Sequence, residues 1–136
     1  MDERAVEEAL ALDAQWIEAL RRGWVALVEE AVWGDIRGVR PGVSGRLRKR
    51  VLETGERLHS LTAHRDWIPR PRERLKNALA SAMGVDEALD ALEQDTRDLR
   101  GADVAFLMQK LAQLRAVLAQ RLPELKARWA DLLESR

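Results

Sequence analysis

Arginine is the residue type whose number and placement most suggest a binding chemistry. Residues 35–76 hold twelve bases and five acids, a balance of +7, whereas residues 1–34 hold three bases and eight acids, a balance of −5. The guanidinium group suits bidentate contacts with phosphate or carboxylate. The candidate basic face consists of Arg46, Arg48, Lys49, Arg50, Arg57, Arg70, Arg72 and Arg74. Such a face predicts a surface for a polyanion, for the acidic first helix, or for a second copy of the chain.

Four further residues are candidates for a protein interface: Asp13, Trp16, Trp33 and Trp67. Trp33 and Trp67 stand at predicted helix ends beside basic segments, and Trp and Arg are enriched where protein interfaces gain most of their energy. The same pair of residue types can stack on bases of single-stranded nucleic acid. Asp13 interrupts an apolar seam, where a buried carboxylate needs a cationic partner.

Catalytic and metal chemistry find little support in the residue types present. The chain has no cysteine and only two histidines, which removes thiolate metal sites and thiol nucleophiles. Glu56 and His59 have a spacing used by di-iron bundles, but those sites need two such pairs and two further carboxylates. Phosphate-binding loops and nucleophile elbows are also missing. We therefore predict no catalytic residue, no metal, no cofactor and no small-molecule substrate.

Arg57 and His64 are separated by six residues. This spacing resembles the Arg-x(4–6)-His signature of HEPN-type ribonucleases, which are all-helical domains of about this length. The resemblance covers two residues, and Leu58 stands where that family has a polar residue. It implies that the arginine and histidine of two protomers meet at a dimer interface and act on RNA. A HEPN-like ribonuclease is therefore a third functional hypothesis, without an assigned catalytic residue.

The elements that must position these residues are helices, because apolar residues recur three or four positions apart throughout. A first helix is predicted over Asp2–Trp33, with Gly23 as a point of close packing. A flexible connection of about residues 34–43 follows, and Ser44 caps a second helix that runs to about Asp66.

Two prolines predict a sharp helix corner at about residues 67–71. Pro69 must stop the second helix and Pro71 suits the first turn of a third, with Trp67 and Ile68 expected to pack beneath the corner. Gly84 is predicted to end that third helix, and Asp86 to cap a short fourth one. A long last helix is predicted from Asp103 to Leu132, either kinked or broken at Pro123.

These elements predict a single all-α domain over residues 1–136. The expected architecture is an antiparallel bundle of four to five helices, in which the long first and last helices pack together. No window holds eighteen apolar residues without a charge, so no membrane span is expected. The acidic start of the sequence and the missing cysteine favour a cytoplasmic protein.

The leading functional hypothesis is a non-enzymatic interaction protein, acting as a homodimer or as a small subunit of a larger assembly. The alternative is an accessory nucleic-acid-binding subunit that uses residues 37–76. The overall pI of about 6.8 argues against a dedicated nucleic-acid binder. The sequence leaves open whether the basic face meets a polyanion or the acidic first helix.

Overall fold

The structure, a computed structural model, describes residues 2–36, 41–99 and 102–135, and for 32–36, 41–44 and 102–103 the backbone alone. These residues form six α-helices and no β-strand, so the predicted all-α class is confirmed. The helices are α1 (Glu3–Leu10), α2 (Ala14–Ile36), α3 (Pro41–Thr62), α4 (Pro71–Arg97), α5 (Ala102–Ala119) and α6 (Leu122–Glu134).

The first helix is short, with eight residues, and the predicted long helix over residues 2–33 is wrong. Ala11 is extended, and Asp13 Oδ1 accepts a hydrogen bond of 2.9 Å from the backbone N–H of Gln15. Asp13 therefore acts as an N-cap that starts α2. Asp13 was expected to be a buried acid paired with a cation, but it is exposed and marks the start of a helix.

The last predicted helix is also divided. Helix α5 ends at Ala119, and α6 begins at Leu122 with Pro123 in its first turn. Proline is favoured there because the first helical N–H groups have no partner inside the helix. Pro123 thus belongs to the start of a separate helix of thirteen residues, which resolves the choice between a kink and a break.

Helix α4 joins the predicted third and fourth helices into one element of 27 residues. Gly84 lies in its interior, and does not end it. A Cβ atom at Gly84 would lie 3.1 Å from Cδ of Arg57, so the missing side chain lets α3 come close. Close packing therefore explains a glycine that the sequence reading took for a helix end.

The connection predicted at about residues 34–43 is shorter in the structure, because the helices on both sides extend into it. Helix α2 extends to Ile36 and α3 begins at Pro41, while residues 37–40 lie outside the described part of the chain. Ser44 lies within α3, so it does not cap it.

Helix α4 is central because it packs against α1, α3, α5 and α6. Helix α2 lies against α3 and α5, and α1 lies against α4 and α6. Gly23 provides the close packing that was expected of it, since a Cβ there would lie 3.1 Å from Leu114 of α5. The largest fully buried side chains are Leu20, Leu27, Leu61, Leu75, Leu89, Leu92, Leu111, Leu114 and Trp129.

Two buried tryptophans connect helix ends across the core. The indole N–H of Trp129 donates to the carbonyl of Ala9 at 2.8 Å, near the end of α1. That of Trp16 donates to the carbonyl of Val117 at 2.7 Å, near the end of α5. Both acceptors belong to the last helical turn, where carbonyls lack a partner within the helix. In the described part of the chain, no helix is long and apolar enough to cross a membrane.

Candidate interaction surface at the helix corner

The corner segment, residues 63–70, connects α3 to α4. Helix α3 ends at Thr62 and α4 begins at Pro71, so eight residues separate the two helices. The sequence predicted an α3 that reached about Asp66 and a corner at 67–71. The helix ends earlier because a side chain within the corner segment caps its carbonyl groups.

That side chain is Arg65, which is only 6% exposed. Its guanidinium donates to the carbonyls of Ser60 at 2.7 Å, Leu61 at 3.3 Å and Ala63 at 2.9 Å. It also donates to Oδ1 of Asn77 at 3.0 Å and to Oγ of Ser81 at 3.3 Å, both on α4. These contacts satisfy the end of α3 and attach it to α4.

The charge of Arg65 has no carboxylate among these partners. Burial lowers the pKa of its guanidinium from the ordinary value, because the charged form loses hydration. Arginine nevertheless stays protonated in proteins. A buried positive charge thus lies within the corner segment. The role of Arg65 was not predicted, since its only sign in the sequence is an arginine between a helical stripe and a proline.

Trp67 is the most exposed large apolar side chain among the described residues, at 76%. Its neighbour Ile68 is buried, and the Ile68 N–H donates to the carbonyl of Arg65 at 3.0 Å. The carbonyl of Ile68 accepts from Nε of Arg74 at 2.6 Å. Both residues were expected to pack beneath the corner, but only Ile68 is buried there. The anchored backbone therefore presents the indole of Trp67 to solvent.

Three arginines of the predicted basic face follow Trp67 in the sequence: Arg70, Arg72 and Arg74. Arg70 is exposed at the N-cap position of α4, and its side chain makes no capping hydrogen bond. Arg72 donates to the carbonyl of Leu133 at the end of α6, at 2.9 Å. Within the residues that the structure describes, none of the three forms an ion pair. No ion pair within these residues therefore neutralises the three arginines.

The rest of the predicted basic face lies elsewhere on α3. Arg46 and Lys49 are exposed near its beginning, about 20 Å from the corner at a rise of about 1.5 Å per residue. Lys49 and Arg48 line a shallow concavity of about 430 Å³ together with Gly45, Leu52, Glu53 and Glu56. The structure thus divides the predicted basic face into two separate regions.

Arg50 belongs to neither region because acids already bind it. Its Nε lies 2.8 Å from Asp95 of α4, and Nη1 lies 3.2 Å from Glu53. Hydrogen bonding to Asp95, and then to Glu53, raises the pKa of Arg50. Arg50 therefore joins α3 to α4.

The residues of the ribonuclease-like spacing are both exposed. Arg57 lies on α3 with its aliphatic part near Gly84, and His64 lies beyond the end of the helix. Neither forms a hydrogen bond or ion pair within the described residues. In the same part of the chain, no group of three or more His, Cys, Asp or Glu side chains is placed to hold a metal ion. Glu56 and His59 therefore have no third ligand among these residues.

The other interface candidates are placed differently from Trp67. Trp16 is buried, and Asp13 is an exposed cap whose Oδ2 also lies 3.4 Å from Nη2 of Arg121. The side chain of Trp33 lies outside the described residues. Among the four candidates, Trp67 is the one that the structure shows as an exposed apolar side chain.

Ion pairs between helices converge on α4. Lys126 of α6 lies 2.8 Å from Asp86, and Arg115 of α5 lies 2.8 Å from Asp90 and 2.9 Å from Glu93. Arg50 of α3 likewise lies against Asp95 of α4, so each of these three cations meets a carboxylate. Arg70, Arg72 and Arg74 differ, since Arg72 and Arg74 donate to backbone carbonyls and Arg70 has no hydrogen bond or ion pair of its side chain within the described residues.

No protein-family model matches the chain, and neither a curated protein nor a solved structure matches it.

Proposed function

We propose that this chain is a non-enzymatic interaction protein that binds a protein partner through the corner segment. The observation that carries the proposal is the exposed indole of Trp67 on a backbone held by the buried Arg65. A segment whose backbone is already held in place loses little conformational freedom on binding. Trp and Arg are also enriched where protein interfaces gain most of their energy, and Trp67 and Arg70 are both exposed here.

The proposed setting is a homodimer or a small subunit of a larger assembly in the cytoplasm. The lack of cysteine supports a reducing compartment. Within the chain itself, we propose that neighbouring helices pack antiparallel to each other. Contacts between α3 and α4 support that arrangement: Arg50 meets Asp95, whereas Arg65, further along the chain, meets Asn77, earlier in α4.

The experiment is native co-purification of a tagged chain compared with two variants. Trp67→Ala combined with Arg70→Ala is expected to lose the proteins retained by the wild-type chain, an untagged copy of the chain included. Met83→Ala is the matched control, because Met83 is an exposed apolar residue of α4, 59% exposed and about 20 Å from Arg70 along the helix. Equal retention by all three chains would contradict the proposal.

The second candidate function is an accessory nucleic-acid-binding subunit that uses residues 37–76. The supporting observation is that Arg46 and Lys49 are exposed, while Trp67 lies beside Arg70 at the other end of α3. A fluorescent single-stranded oligonucleotide tests it, with a binding constant that falls as salt rises. Binding that is unchanged in a chain with Arg46→Glu and Arg70→Glu would refute this candidate.

A further inference from the structure

The corner segment together with the first residues of α4 carries a charge opposite to that of α1. Apart from the buried Arg65, the chain from His64 to Lys76 has four bases and two acids, a balance of +2 with neutral histidine. From Asp2 to Leu10 it has four acids and one base, a balance of −3. All five charged residues of α1 and its cap are exposed. The two surfaces are therefore complementary in sign.

Within one molecule these charges do not neutralise each other. The ion pair of α1 is internal, between Arg4 and Glu8 at 3.5 Å. Glu3 and Glu7 have no ion pair within the described chain, and neither does Arg70. Elsewhere the cations Arg50, Arg115 and Lys126 each meet a carboxylate of α4. The charges of α1 and of the corner are thus available to another molecule.

Both surfaces flank the same pair of helices. Helix α1 packs against α4 and α6, while Arg72 at the start of α4 binds the carbonyl of Leu133 at the end of α6. An acidic and a basic surface beside one helix pair can form a self-complementary patch. A two-fold axis would then place α1 of each copy on the corner of the other.

We infer that the partner at the corner is a second copy of this chain, whose acidic α1 contacts Trp67 and Arg70. This inference rests on the proposed function, which requires only that the corner binds a protein. A single α1 is about 12 Å long, which is small beside the roughly 800 Å² per partner of a stable interface. The reciprocal arrangement uses each surface twice and doubles the contact.

The test uses two charge reversals that local helix electrostatics tolerates. Glu7→Lys places a cation near the end of α1, and Arg70→Glu places an anion at the start of α4, and both substitutions agree with the helix dipole. Sedimentation velocity measures self-association of the wild-type chain and of each variant at low salt. The wild-type chain dimerises, and each single reversal weakens the dimer by tenfold or more, because like charges then face each other.

Mixing the Glu7→Lys and Arg70→Glu variants is the decisive step. In a reciprocal dimer, the reversed α1 of one copy would face the reversed corner of the other, and the native α1 and native corner would face each other as before. The mixture is therefore expected to form a dimer that neither variant forms alone. Arg22→Glu is the control, since Arg22 is exposed on α2, which packs against neither α1 nor α4, and it leaves the dimer unchanged.

Several results would overturn the inference. The first is a wild-type chain that stays monomeric at about 100 μM. The second is a dimer that neither reversal weakens, and the third is a mixture of the two variants that stays monomeric. Oligonucleotide binding abolished by Arg70→Glu in a monomeric chain overturns it in favour of nucleic acid. If a reversed chain does not fold by circular dichroism, Glu7→Gln and Arg70→Gln replace it and must each weaken the dimer. The proposed function survives these failures if the Trp67 and Arg70 variant still loses another protein on co-purification.

Discussion

The guanidinium of Arg65 occupies the place where α3 would otherwise leave carbonyl groups without partners. Five acceptors surround it, and three of them are backbone carbonyls at the end of the helix. Because the side chain is buried, water does not replace a lost contact easily. Arg65 therefore fixes both the end of α3 and the position of the exposed Trp67.

The substitution Arg65→Lys tests this role. An ammonium group has three donors, so at least two of the five acceptors lose their partner. The free energy of unfolding is expected to fall by about 2–3 kcal/mol in urea titrations. Arg46→Lys, on an exposed part of α3, changes it by less than about 0.5 kcal/mol. A similar small change for Arg65→Lys would show that the five hydrogen bonds do not determine the corner.

Two glycines of α3 provide a second test, with effects of opposite sign. A Cβ at Gly55 would lie 2.5 Å from Cε2 of Trp24, whose N–H donates to the carbonyl of Val51 at 3.0 Å. A Cβ at Gly45 would meet nothing within 4 Å. Gly45→Ala is expected to stabilise the protein by up to about 1 kcal/mol, since alanine favours helix.

Gly55→Ala is expected to destabilise the protein despite the same helix preference, because the rigid indole must move. Thermal unfolding followed by circular dichroism compares the two variants. Equal stabilisation by both substitutions would mean that the Trp24 indole does not lie against α3.

Residues that depend on tertiary contacts were the hardest to predict from the sequence. The role of Gly23 was predictable because its neighbours on the helix face are small. Gly84 has the same role, but it was mistaken for a helix end because glycine often ends a helix and Asp86, two residues later, was predicted to cap a new one. Arg65 was not recognised, since its burial depends on carbonyl groups that only the folded corner brings together.

At the scale of the elements, the two helix breaks lie side by side. Asp13, in the break between α1 and α2, lies 3.4 Å from Arg121, in the break between α5 and α6. Trp16 contacts the carbonyl of Val117 close to the same place. The apolar pattern continues through both breaks, which is why the sequence predicted two long helices. The only local signs of the breaks were Asp13, an N-cap residue within the first apolar pattern, and Pro123, a proline within the second.

Substitutions at Asp13 separate its two contacts. Asp13→Ala removes the cap of α2 and is expected to cost about 1 kcal/mol. Asp13→Asn keeps the cap and loses only the exposed ion pair with Arg121, so its cost is expected to stay below about 0.5 kcal/mol. Chemical denaturation measures both variants. Equal costs for the two variants would assign the effect to the ion pair.

At the scale of the whole molecule, α4 is the element on which the others depend. It packs against four helices, and carboxylates along it bind cations of α3, α5 and α6. This central position was not predictable from the sequence, because Gly84 was predicted to end a helix and so divided α4 into two shorter elements. The predicted first helix is in fact α1 and α2, which pack on different neighbours.

The substitution Leu89→Ala tests the central position of α4. Leu89 is fully buried, so its truncation is expected to cost about 2–5 kcal/mol. Since α4 contacts α1, α3, α5 and α6, the loss should appear in one cooperative transition, equal by far-ultraviolet circular dichroism and tryptophan fluorescence. Leu52→Ala, at a half-exposed site of α3, is the control with little effect. Two separate transitions would mean that the helices do not form one folding unit.

The neighbouring breaks also bear on how rigid the molecule is. Rotation of α1 with α6 relative to α2 with α5 would leave the hydrogen bonds inside these four helices intact, and at the breaks it would strain the exposed Asp13–Arg121 contact. Helix α4 opposes such a rotation, because it packs against α1, α5 and α6 at once. A change in the angle of the acidic α1 would therefore require α4 to lose part of its buried packing.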